Sequence, residues 1–92
     1  MLMIRHSIGS RLFFQSKDFT IEEKEDRFVI SAPATEETVQ EVLAFRNELN
    51  IFAVGQYEKT WYYSSDGKVE FHPQQRKLII EADHKTVYPV SF

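Results

Sequence analysis

The sequence predicts an α+β fold: a single amphipathic helix packed on an antiparallel, hairpin-built sheet, in the order β-β-β-α-β-β-β-β. Three observations lead there. Only one segment, just after Thr35, spaces its apolar residues as a helix does. Short segments on both sides of it alternate apolar with polar residues, and turn formers separate these segments at hairpin distances. Ninety-two residues, 42% hydrophobic and 14% aromatic, can bury a modest core, so residues 1–92 read as one globular domain.

The chain opens on the apolar run Met1 to Ile4, followed by Arg5. A secretory signal places its charge first and its apolar region runs longer, so that reading fails. Residues 1–17 hold Arg5, Arg11, Lys17, three serines and no acidic residue, a composition that suits a transit segment as well as a first strand with polar flanks. A strand over residues 11–15 follows from Leu12, Phe13 and Phe14, bounded by Gly9 and Ser10. Residues 19–21 and 28–30 alternate in period two and are joined by the polar turn around Lys24, Glu25 and Asp26, which reads as a hairpin.

The helix is expected over residues 36–49. Pro33 ends the preceding strand, Thr35 stands at the N-cap, and Glu36 and Glu37 complement the positive end of the helix dipole. Val39, Val42, Leu43, Phe45 and Leu49 share one face, with Asn50 as a left-handed stop. Arg46 interrupts that face, so it either lays its stem along the core edge or reaches an acidic partner.

Residues 61–71 read as a hairpin with Ser65, Asp66 and Gly67 as a three-residue loop. This register pairs Tyr63 with Val69 and Trp61 with Phe71 on the core face, leaving Tyr62, Glu70 and His72 outside. After a turn at Pro73 to Gln75 come strands at residues 77–82 and 87–92. Pro89 lacks a ladder donor, which puts the last strand at a sheet edge.

Composition removes several function classes. The net charge is −3, with +3 in residues 1–17, −6 in residues 18–41 and balance thereafter, so the chain lacks the basic footprint of a sequence-independent nucleic-acid binder. Three scattered glycines make no phosphate-cradling loop, and neither a nucleophile elbow around serine nor a paired-histidine zinc helix occurs. No apolar run approaches the roughly 20 residues that cross a bilayer, so no membrane is expected. The cysteine-free composition offers no disulfide, zinc knuckle or thiol nucleophile and suits a reducing, cytoplasmic setting.

What remains favours a non-catalytic protein-interaction module of the inhibitor, immunity or adaptor kind, without cofactor or metal. It would bind another protein or self-associate through the C-terminal edge strand. Its candidate contact residues are the Tyr62, Glu70 and His72 patch, Arg46, and the acidic hairpin tip at Glu25 and Asp26. Single-stranded nucleic-acid binding through sheet aromatics is the alternative, with Tyr62 as its test residue. A small metal-binding or acid–base enzyme built from Glu70, His72, Glu81, Asp83 and His84 is a weaker third.

Overall fold

Among the described residues, alternation of apolar and polar residues builds nine strands, with one helix between the fourth and fifth. In the computed structural model, which describes residues 1–89, these are β1 (Leu2–His6), β2 (Leu12–Ser16), β3 (Thr20–Lys24), β4 (Arg27–Pro33), α1 (Glu36–Ala44), β5 (Leu49–Val54), β6 (Glu58–Tyr63), β7 (Lys68–His72), β8 (Lys77–Ala82) and β9 (His84–Pro89). The α+β class and the order of strands about one helix are those read from the sequence, with β1 and β5 added to the series. Residues 90–92 of the expected last strand lie outside the described residues.

The strands form two antiparallel sheets, of order β2-β1-β5-β6-β9 and β3-β4-β8-β7. They face each other: Leu2, Ile4, Ile51 and Tyr62 from the first join Ile30, Leu78 and Ile80 from the second in one buried cluster. The Phe28 and Tyr62 rings meet edge to face across the gap, 5.5 Å apart. Sheet packing of this kind makes each strand's alternate residues either core or outer surface.

Helix α1 connects the sheets and adds Val39 and Val42 to the cluster. Burying each valine contributes about 1.5–3 kcal/mol. Thr35 caps it as expected, its side-chain oxygen accepting the Thr38 N–H at 3.2 Å, an interaction that stabilises by about 1 kcal/mol. Its C-terminus corrects the sequence reading: the helix stops at Ala44, not at residue 49. The Phe45 N–H turns back to Val42 and Leu43, Phe45 packs on His6 and Phe13, and Leu49 already belongs to β5. Asn50 is therefore a strand residue. Among the described residues, no helix is long and apolar enough to cross a membrane.

The β3–β4 hairpin, the β7–β8 hairpin and the edge position of the Pro89 strand agree with the sequence reading. The expected hairpin over residues 61–71 does not form. β6 pairs with β5 and β9, β7 pairs with β8, and residues 64–67 cross from one sheet to the other. The crossing is held by partners distant in sequence. The Ser65 N–H donates to Asp83 at 3.1 Å, Asp66 accepts from Arg27 at 3.3 Å, and Gly67 packs against Arg46 and Asn47.

Candidate functional site

Loss of that hairpin reverses the side-chain assignment of β6 but not of β7, where Val69 and Phe71 pack on the core and Glu70 and His72 are exposed as expected. Tyr62 is 6% exposed and belongs to the core, while Trp61 and Tyr63 point outward from the five-stranded sheet. Glu70 and His72 lie on β7 in the other sheet, so the patch expected of Tyr62, Glu70 and His72 is not assembled. Arg46 follows the helix as an exposed residue rather than interrupting an apolar stripe. Glu25 and Asp26 do form an exposed hairpin tip, with Glu25 left-handed at φ 50°.

The titratable residues of the C-terminal strands are also divided. His72 contacts Glu70 at 3.4 Å, Glu81 pairs with Lys68 at 3.5 Å, and His84 sits on β9 of the opposite sheet. Among the described residues, no three His, Asp or Glu side chains come together as a metal-binding group.

The two outer faces differ in kind. On the four-stranded sheet the exposed side carries hydrogen-bonded and ion-paired residues, including Thr20 with Ser31 at 2.5 Å and the Lys68–Glu81 pair. On the five-stranded sheet the residues opposite the core include Phe52, Trp61, Tyr63 and Tyr88. Strand register places Met3, Phe52, Trp61 and Thr86 side by side across four strands. One step away along the strands Tyr63 pairs with His84, and on the other side Lys59 lies between Val54 and Tyr88. Among the described residues, no carboxylate occupies an outward strand position of this sheet, whose charged members are Arg5 and Lys59.

These side chains brace one another. The Trp61 indole N–H donates to the Asn50 side-chain oxygen at 3.1 Å, and its ring lies 4.6 Å from that of Tyr63. Tyr63 is stacked in turn on His84 at 4.6 Å with an 8° interplanar angle, and the Lys59 ammonium stands 4.4 Å from the centre of the Phe52 ring. A shallow depression of about 470 Å³ opens among Asn50, Phe52, Lys59, Trp61, Tyr88 and Pro89. No protein-family model, curated protein or solved structure matches this chain.

Asp83 anchors one end of the aromatic row. It accepts from the Ser65 hydroxyl and backbone N–H and contacts His84 Nδ1 at 2.6 Å, fixing the imidazole against Tyr63. The Ser65 hydroxyl, followed by His84 and the Ser65 N–H, lowers the Asp83 pKa from 3.8 to about 2. A depressed carboxyl pKa contributes stability above its unfolded value that disappears as pH falls from about 4 toward 2. Carboxyl NMR titration is expected to give a midpoint near 2 for Asp83, moving toward 3.8 in Ser65→Ala. An unchanged midpoint in that variant contradicts the assigned cause.

Proposed function

We propose that this protein is a non-catalytic interaction module that binds another protein through the outer face of its five-stranded sheet. The orientation of β6 carries this reading. Its larger apolar stripe, Trp61 and Tyr63, faces outward, while Thr60 and Tyr62 face the core. A strand that serves packing alone turns its richer stripe inward, and outward tryptophan and tyrosine are residue types that anchor protein interfaces.

The face suits a protein better than single-stranded nucleic acid. Base stacking needs open ring faces. Here His84 covers a face of Tyr63 and Lys59 stands over Phe52. Tyr62, the expected stacking residue, is in the core.

The face is also better suited than the β9 edge, where sequence reading had placed the contact. Lys85 turns to the core side of β9, with its ammonium 5.2 Å from the Phe28 ring, and Pro89 lacks an N–H. An inward lysine and a proline are devices that discourage strand addition. The cysteine-free composition supports a cytoplasmic setting for the same proposal.

Affinity capture from the native host tests it. The wild-type protein is expected to retain a protein partner in stoichiometric amount, and the double variant Trp61→Ala, Tyr88→Ala to lose it while keeping a native circular-dichroism spectrum. Retention of no protein, or equal retention by the folded variant, overturns the proposal.

A further inference from the structure

We infer that the partner offers an acidic segment whose apolar side chain enters the depression lined by Phe52, Trp61 and Tyr88, with a carboxylate set against Lys59. This inference rests on the interaction reading above and names the chemistry of the partner.

Charge distribution selects that chemistry. The chain is acidic overall at −3, yet the outward strand positions of the five-stranded sheet carry Arg5 and Lys59 and, among the described residues, no carboxylate. Among the described residues, carboxylates are thus absent from the outward strand positions of this sheet in an otherwise acidic molecule, with Asp83 touching His84 only at its end. Such separation steers an oppositely charged partner to this face and penalises a basic one.

The same distribution disfavours a second copy docked face to face, because Lys59 and Arg5 of both copies would be brought together with no carboxylate, among the described residues, at an outward strand position of either. Arg5 already donates to the Ser10 carbonyl oxygen at 2.8 Å. Among the described residues, Lys59 has the Phe52 ring beneath it and no carboxylate paired with it, an arrangement that leaves ammonium protons for a carboxylate.

The depression sets the second half of the recognition. Its volume of about 470 Å³ and open form suit the insertion of a side chain rather than the enclosure of a metabolite. Its walls are the Phe52 and Trp61 rings, Tyr88 and Pro89, and Lys59 stands at the same site. An apolar residue flanked by aspartate or glutamate therefore satisfies both features at once.

Selection of a random-peptide display library on the full-length protein tests the inference without presupposing a sequence. Enriched peptides are expected to carry an aromatic or aliphatic residue flanked by carboxylates. Synthetic copies are expected to shift the emission of Trp61, the only tryptophan, in a saturable titration. Lys59→Glu should weaken that binding roughly tenfold or more. Lys59→Gln, which removes the charge without adding another, should weaken it less.

Enrichment of basic or uncharged peptides, absence of enrichment, or undiminished binding to folded Lys59→Glu overturns the inference. So does tighter binding of oligothymidylate than of the selected peptides, or a dimer in light scattering that Lys59→Glu abolishes. Capture of a host partner whose contact segment is not acidic overturns this inference alone and leaves the interaction reading standing.

Discussion

Alanine at Tyr62 is expected to lower the unfolding free energy by about 3–5 kcal/mol, while alanine at the adjacent, larger Trp61 costs only about 1 kcal/mol. The difference follows from which way β6 faces. Tyr62 is 6% exposed, lies opposite Ile51 on β5 and closes on Phe28 across the sheets, so its removal opens a cavity between two layers that have little freedom to collapse. Trp61 gives up a hydrogen bond to Asn50 and contacts with Tyr63 on a half-buried surface that water can fill. Urea unfolding with a common m-value measures both costs. A larger cost at Trp61 than at Tyr62 contradicts the assigned orientation of β6.

Tyr62→Phe separates ring from hydroxyl. It keeps the buried ring and should cost under about 1 kcal/mol at neutral pH. Burial, with a smaller contribution from the charge of Glu23, raises the Tyr62 pKa above its usual 10.0. A raised pKa gives a stability contribution that is complete below the unfolded value and is lost as pH rises from about 10 through the folded value. The wild type should therefore lose stability in that alkaline range, and Tyr62→Phe should lose less.

The same strand explains how far the sequence could be read. Local signals were sufficient for the Thr35 cap, the β3–β4 and β7–β8 hairpins and the edge position of the Pro89 strand, because each depends on residues close together in the chain. β5 was hidden because Leu49 continues the helical spacing of Val39 and Val42, and the alternation that competes with it begins only there. Its partners are β1 and β6, so the decisive pairing with β1 is non-local.

The register of β6 was inverted for a related reason. Tyrosine and tryptophan at three successive positions look equally suited to a core, and a one-residue slip exchanges both faces. The sequence did contain a signal for the surface now assigned to function. Asn50, Phe52 and Val54, then Lys59, Trp61 and Tyr63, then His84, Thr86 and Tyr88 each alternate without a carboxylate, in a chain with fourteen of them. Reading it required knowing that these three segments lie side by side, which only the β5–β6–β9 pairing supplies.

Gly67 packs against the segment between α1 and β5, and Gly67→Ala is expected to destabilise by about 2–5 kcal/mol. Two costs combine. At φ +60°, a side chain is penalised by about 1–2 kcal/mol. An added methyl would also fall inside contact distance of the Asn47 side-chain oxygen and stand 3.1 Å from the Arg46 carbonyl oxygen, which overpacks the crossing by a further amount on the order of 1–3 kcal/mol. Asn47 can swing aside, but the Arg46 carbonyl belongs to the backbone between α1 and β5. Pressure at Gly67 is consequently transmitted to the segment that starts β5, and with it to the neighbour of β6.

Asn47→Ala separates these contributions. In the Asn47→Ala background the methyl meets only the Arg46 carbonyl and the conformational penalty, so Gly67→Ala should cost less there than in the wild type, and the difference measures the Asn47 contact. Equal costs in both backgrounds would place the effect in the left-handed backbone and the Arg46 carbonyl contact, with none from Asn47. A negligible cost in either would mean that residue 67 is neither left-handed nor pressed against Arg46, and would contradict the crossing assigned to residues 64–67.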